Sequence, residues 1–514
     1  MKHKQLFQIV LLVTTVVFAG CTNDEASQSE SAQGKVAANA VTFVAEKPMT
    51  RTSISHTIGN GAVPSWSTGD KIWVKDTGGN FQQSSAGTFN ADKSRGTFTL
   101  SGTFSSGCTV NYTGQNSTAG DKVTIATKQT QAGPNDFSHA GVSGDCGTAT
   151  ASGSGNSFRF KIDHKASYLC FLPRSSNAYV NRSKLTKIEV ISENAIAGTY
   201  DFANGTLSNE PVGSSSNSIT LVTGSGFPIT NTATDITANG AYMVIAPGTH
   251  SLAVRYWLKN TVDNPNGVIE GTVTKYIDLD CKAGKIYDIT ANLDPQTLSA
   301  KYYMWDAQKD YWYGYESSQP TISDTSNGNY PKSQATAPDR WYYTPSAGTH
   351  WAANSATQCA TVNQMLWYAH EGKPHWDADE LWILLGHLYK GGMWIKKQEV
   401  IAAENSTTKN NMYAAYGGID YRAATQQFAE YFFTNSTITA GRPTKSIISD
   451  YFYLPAKGFY YDGKLQYVGR YGYYWSATRT NYETDHAFSL SFSAGTLSVG
   501  NSIRSYGFSE ELKW

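Results

Sequence analysis

Apolar and polar residues alternate at strand length through the first half of the chain. Phe158, Phe160 and Ile162 fall on one side while Arg159, Lys161 and Asp163 fall on the other, the period-two signature of a strand with one wet face. Runs of the same kind cover 41–44, 70–74, 97–104, 185–191, 242–246, 252–258, 273–279 and 286–289, with turn residues between them. An Asn204-Gly205 pair between two runs suits the positive φ angles of a tight hairpin. Residues 41–294 therefore read as two β-sandwich domains.

Helical periodicity first emerges after that. Cys359, Val362, Met365, Leu366 and Ala369 fit a helix within 354–370, stopped by Gly372-Lys373-Pro374. A second helix is predicted over 377–388, with Asp377 or Asp379 as its N-cap and Gly391-Gly392 beyond its end. Strands return at 451–455, at a hairpin on Asp462-Gly463, and at 488–492 and 497–503. Early helices and late antiparallel strands make this an α+β domain over 298–514, so the whole chain reads as mainly β.

Composition adds the compartment. Of 514 residues only 16% are charged, Lys plus Arg equals Asp plus Glu at 41 each, and aromatics reach 13%. That balance excludes a global attraction to nucleic acid or anionic lipid, and the aromatics bury enough surface to exclude disorder. The N-terminus is cationic at Lys2, His3 and Lys4, then apolar from Leu6 to Ala19, and ends in Phe18-Ala19-Gly20-Cys21. This reads as a lipoprotein signal peptide over 1–20 with Cys21 as the acylated residue, because the apolar run is too short for the roughly 20 residues that span a bilayer. Residues 21–40 read as a flexible tether, and anchorage is by lipid alone. Five cysteines remain, and a Cys108–Cys146 bridge is one candidate pairing.

Thr50-Arg51-Thr52, the run from Trp66 to Ile72, Gln129-Thr130-Gln131, the run from Phe160 to Ala166 and Ala283-Gly284-Lys285-Ile286-Tyr287 together resemble the landmarks of the Bacteroidetes fimbrillin-like proteins. The resemblance implies two transthyretin-like sandwiches, over 41–164 and 165–294, and partner subunits joined by β-strand exchange. It also implies proteolytic processing after a basic residue, for which Arg51 stands at the matching place with Lys47 nearby. Thr22-Asn23-Asp24-Glu25 resembles the tract that sends such lipoproteins to the outer face of the outer membrane. The segments 454–458, 468–478, 487–492 and 504–508 resemble a Bacteroidetes module with a C-type-lectin-like fold.

Ten of the 13 Trp and 24 of the 32 Tyr lie in 299–514, and aromatic faces stack on the C–H face of a sugar while neighbouring polar groups bind its hydroxyls. Tyr473, Tyr474, Trp475, Arg479 and Asn481 form the candidate carbohydrate site, with Trp475 as core the competing reading. Asp377, Asp379, Glu380, Glu483 and Asp485 are the acidic residues considered for calcium, but no EF-hand accompanies them. His370 and His375 are separated by Lys-Pro, and His387 and His486 have no neighbour at ligand spacing. Only Cys359 lies in this domain, against the cysteine pair that the related formylglycine-generating fold implies. With no nucleophile or phosphate-loop motif either, the expectation is a non-enzyme with no cofactor and no metal. The expected function is a surface-exposed fimbrial adhesin, a pilus tip or accessory subunit. The alternative is a non-polymerising glycan-binding lipoprotein that serves an uptake system.

Overall fold

The computed structural model describes residues 40–46, 53–115, 117–261, 267–346, 350–423, 433–480 and 484–510. Cys21, Lys47, Arg51, Asn481 and Glu483 lie outside them. The chain is mainly β, with 44% strand and 10% helix. Among the described residues no helix is long and apolar enough to cross a membrane.

In the first sandwich Ala40–Ala45 lies between Ser157–Phe160, to which it runs parallel, and Gly96–Ser101, to which it runs antiparallel. The facing sheet is built on Gly147–Thr150, Thr109–Tyr112 and Trp73–Lys75. The alternation in the sequence is the packing: Phe158, Phe160 and Ile162 are buried, and Phe43 stacks on Phe158 with ring centroids 4.9 Å apart.

The second sandwich sets Lys128–Thr130, Ser218–Pro228, Lys184–Ser192, Gly248–Asn260 and Ile269–Cys281 against a three-stranded sheet of Ala241–Ile245, Ser167–Arg174 and Ile286–Asn292. Ser167–Arg174 is the middle strand, buried on both faces, which is why it reads as an unbroken apolar run. This core also takes Ile54, Val123, Ile125, Phe137 and Ala140. The second core extends across 164/165, since Ile54 of hairpin 53–65 and residues of segment 122–146 pack in it, whereas the first core lies wholly before that point. Asn204-Gly205 sits in a turn, with Gly205 at φ 71°, but the strands it connects, Ala197–Asp201 and Gly213–Ser216, are joined by a longer loop. Cys108 packs against the first core and Cys146 within the second; both are free thiols, so the bridge between them is not formed.

His139 lies in this second layer. Its ring packs on Phe137 at 5.1 Å, its Nδ1 meets the Ser143 hydroxyl at 2.9 Å, and burial pulls its pKa from 6.5 to about 4. The folded state thus disfavours the imidazolium that the unfolded chain takes up below pH 6.5. Stability should be complete above pH 6.5 and fall by about 3 kcal/mol as pH drops towards 4, at about 1.4 kcal/mol per unit. Urea titrations at pH 7 and pH 4.5 check this: H139Q should flatten the acid loss, and an unchanged slope would refute the assignment.

In the C-terminal region the expected helix forms over Val362–Glu371, while Cys359 lies before it at the end of a 3-10 turn over Ser355–Gln358. Thr361 and Gln364 make a capping box, the buried face carries Val362, Met365, Leu366 and Ala369, and Gly372 ends it. The second expected helix does not form. Residues His375–Leu384 are a strand paired antiparallel with His387–Lys396, which pairs in turn with Tyr451–Pro455. The tight turn rests on Leu385 at φ 53° and Gly386 at φ 80°.

This strand also joins the second sandwich. Thr272 pairs with Glu380 in parallel, so a ten-stranded sheet runs from the sandwich into the C-terminal region. Gly271 permits the approach, because a Cβ there would lie 2.5 Å from the Asp379 carbonyl oxygen. Ion pairs surround the joint: Arg442 to Glu380 at 2.8 Å, and Arg255 to both Glu189 and Asp379 at 3.0 Å.

A four-stranded sheet completes the region in the order Phe433–Asn435, Thr496–Ile503, His486–Ser493 and Gly472–Arg479.

Candidate functional site

The strand Gly472–Arg479 carries Tyr473, Tyr474, Trp475 and Arg479 of the expected carbohydrate residues, and Asn481 lies outside the described residues. Tyr474 is 0% exposed; its ring stacks on Phe492 on one face, and its hydroxyl donates to the Pro455 carbonyl at 2.7 Å. Trp475 is also 0% exposed. Its ring stacks on Phe508 at 4.3 Å, and its Nε1 donates to the Tyr303 carbonyl at 2.8 Å. Both are core. Arg479 stands at the far end of the strand, where its backbone N–H donates to the His350 carbonyl. Tyr473 and Arg479 are both half-buried, and Tyr473 belongs to an aromatic cluster that reaches the surface.

That cluster is larger than the sequence suggested. Phe459 is its buried hub, with Tyr473 at 4.7 Å, Tyr506 at 5.7 Å and Tyr467 at 6.0 Å. Tyr471 stacks on Tyr473 at 6.1 Å and 23°, and Tyr461 meets Tyr506 edge-on at 5.1 Å. The outermost rings are open to solvent: Tyr461 is 44% exposed, Tyr467 43% and Tyr471 39%.

Two turns hold these rings out. Phe459–Tyr461 and Lys464–Gln466 form a hairpin over Asp462 at φ 47° and Gly463 at φ 72°, as the Asp-Gly pair predicted. The second turn starts at Tyr467, whose carbonyl accepts from the N–H groups of Arg470 and Tyr471. Tyr467 has φ 60°, a left-handed conformation that costs a non-glycine residue about 1 kcal/mol or more. Gly458 anchors the base: it has φ 65°, its N–H donates to the Tyr471 carbonyl, and a Cβ there would clash with the Gln466 carbonyl. Strain and tight packing are therefore spent to present an aromatic side chain at an exposed corner.

Burial raises the pKa of Tyr473 to about 12 and also raises that of Tyr506. These hydroxyls stay neutral at physiological pH, able both to donate and to accept. Asp462 and Arg470, both exposed, flank the rings on the two turns. The arrangement offers flat, half-buried aromatic faces with hydroxyl and charged groups at the margin, suited to stacking and hydrogen bonding of a polyhydroxylated ligand. A second exposed pair, Trp351 and Tyr413, lies 6.4 Å apart with the Arg422 guanidinium over both.

The described acidic residues considered for calcium, which leave out Glu483, form ion pairs. Asp377 and Glu380 face Arg442, Asp379 faces Arg255 and Lys390, and Asp485 pairs with His486. Sequence reasoning missed Tyr461, Tyr467, Tyr471 and Tyr506. The available signal was the placement of tyrosines on turn positions, where an aromatic ring has no core to enter.

No protein-family profile matches the chain, and neither does any curated protein. Among solved structures, a "putative cell adhesion protein" from Bacteroides ovatus is similar at 13% identity and a TM-score of 0.31, covering 49% of this chain and 92% of that one. One of the same description from Bacteroides fragilis shares 15% identity at a TM-score of 0.30, with 49% and 92% covered. A fimbrial protein from Bacteroides ovatus covers 91% of this chain and 98% of its own at 13% identity and a TM-score of 0.24.

Proposed function

We propose that this chain is a fimbrial adhesin, lipid-anchored through Cys21 at the outer membrane, whose C-type-lectin-like C-terminal domain binds a glycan on the Tyr461–Tyr467–Tyr471–Tyr473 surface. The observation that carries the recognition half is the set of solvent-facing rings held out by two turns, one of them strained at Tyr467. The lipobox, the fimbrillin landmarks and Arg51 support the assembly half.

Placement at a pilus tip is part of this proposal, and the sheet edges support it. A stalk subunit accepts a strand and donates one of its own. In this chain the edge strand Ile269–Cys281 is met by His375–Leu384, and over 200 residues follow the second sandwich. Such a chain accepts but does not donate. Immunogold labelling should mark fibre ends; label spread evenly along shafts would contradict the tip. Ladders that resist SDS support polymerisation, and their absence alongside firm glycan binding would favour a stand-alone lipoprotein.

Recognition has its own test. On a glycan array and then by calorimetry with the best ligand, Y471A should lower affinity about tenfold, or about 1.4 kcal/mol. Y467G should do the same while leaving stability level or slightly raised, because glycine relieves the left-handed strain. Wild-type affinity in both variants would remove the tyrosine surface from the function.

A further inference from the structure

His56, Cys170 and Asp288 are more than 100 residues apart in sequence and meet in the second sandwich. Cys170 lies in the middle strand Ser167–Arg174, directly beside Asp288 in the parallel register of Ile286–Asn292. Register partners in neighbouring strands point to the same face, so thiol and carboxylate are brought together by the pairing itself. His56 arrives from the hairpin at 53–65, whose Ile54 is buried in the same core. Its Nε2 lies 2.7 Å from Asp288 Oδ1, while Asp288 Oδ2 accepts the Gly59 N–H at 2.8 Å. One ligand-type atom from each of the three residues lies within 4.8 Å of the others.

An imidazole nitrogen, a thiol sulfur and a carboxylate oxygen form a donor set of borderline softness, the kind that selects zinc among common divalent ions. Bonds of about 2.0–2.3 Å in a tetrahedron hold ligand atoms about 3.3–3.8 Å apart, so the Nε2–Oδ1 pair, 2.7 Å apart as a hydrogen bond, opens to admit the ion while the cluster spans no more than 4.8 Å. Cys170 and the His56 side chain are fully buried, whereas the Asp288 side chain is 21% exposed and gives the path of entry. A thiol so enclosed faces no substrate, but a small cation reaches it past the carboxylate. His56 Nδ1 is buried without a partner, so Nε2 is the nitrogen aimed into the cluster.

We propose that His56, Cys170 and Asp288 bind one zinc-class divalent cation, with water as fourth ligand, and that the ion staples hairpin 53–65 to the second sandwich. On binding, the Cys170 S–H bond breaks, sulfur ligates the metal and the proton leaves to solvent. His56 ligates through Nε2 as the neutral tautomer, so the hydrogen between Nε2 and Asp288 moves to Nδ1 and no second proton is released. Without the cation the thiol stays protonated, since burial and then the Asp288 charge push its pKa far up.

The test uses tag-free, full-length protein, chelator-stripped and titrated with Co²⁺ and then Zn²⁺. One Co²⁺ per chain should bind, with the intense visible bands of tetrahedral cobalt and a thiolate-to-cobalt band in the near ultraviolet. Cobalt uptake should release a proton, and Zn²⁺ should displace cobalt without further proton release and raise Tm by several degrees over the stripped protein. C170S should lose the thiolate band, and H56Q and D288N should each weaken binding at least tenfold. D288N alters a partly exposed side chain and keeps the test decisive where C170S does not fold. No cobalt uptake by the wild type, a thiolate band that survives in C170S, or full affinity in D288N would each overturn the proposal.

Discussion

Replacing Arg442 with alanine should destabilise the chain by about 3–5 kcal/mol and split its unfolding into two transitions. Arg442 sits at the joint between the second sandwich and the C-terminal region, with its side chain 12% exposed. Its Nη1 donates to Glu380 at 2.8 Å and lies 3.9 Å from Asp377, whose side chain is 1% exposed. The guanidinium also covers the rings of Tyr276 from the sandwich and Trp394 from the C-terminal region. Removing it strands two carboxylates in a poorly solvated site. Burial already raises the pKa of Glu380, and Arg442 is the main group holding it down. Thr272 and Thr274 still donate to Glu380 in the variant, but neutral hydroxyls do not balance the charge. Urea unfolding followed by Trp fluorescence and by limited proteolysis reads both effects. R442M should recover part of the loss by packing alone, and R442K less than its charge suggests, because a point charge cannot cover two rings. A single transition at wild-type midpoint in R442A would mean that the joint carries no energy.

The same joint marks where sequence reading reached its limit. The sandwiches were legible because many of their strands bury one face, so Phe158, Phe160 and Ile162 announce themselves by period. Residues 377–388 carry a plausible acidic cap and an apolar run, which fit a helix equally well. The deciding contacts are non-local: backbone pairing to 387–396 on one side and to Thr272 on the other. The turn between the two strands is Leu385-Gly386, not a familiar Asn-Gly or Asp-Gly, so the hairpin was masked. Crossing of hairpin 53–65 and segment 122–146 to the second core was unreadable for the same reason, because no local pattern records which of two cores a strand enters. The candidate site was half legible. Composition placed aromatics in the right region and period two put Tyr473 and Trp475 on one face, but depth within that face is set by Tyr303 and Phe508, from opposite ends of the domain.

Depth is what the second large effect measures. Trp475→Ala should cost about 3–5 kcal/mol, since it empties a fully buried site and removes one of the two donors to the Tyr303 carbonyl, leaving only the Phe508 N–H. The cavity cannot close easily. Trp305 is fixed beside it by a hydrogen bond from its Nε1 to the Ser476 carbonyl, and the backbone N–H of Trp475 is itself tied to the Ser509 carbonyl. Tyr473→Ala, two positions earlier on the same face, should cost about 1 kcal/mol or less, because its ring is only partly covered. The two variants then separate in opposite directions. W475A should lower the denaturation midpoint sharply and, at temperatures where it remains folded, keep glycan affinity within a few-fold of wild type. Y473A should keep the midpoint and lose affinity, since its ring is stacked directly beneath Tyr471. If W475A proved as stable as wild type while binding fell, the tryptophan rather than the tyrosines would be the sugar platform, and the burial that assigns it to the core would have to open in solution.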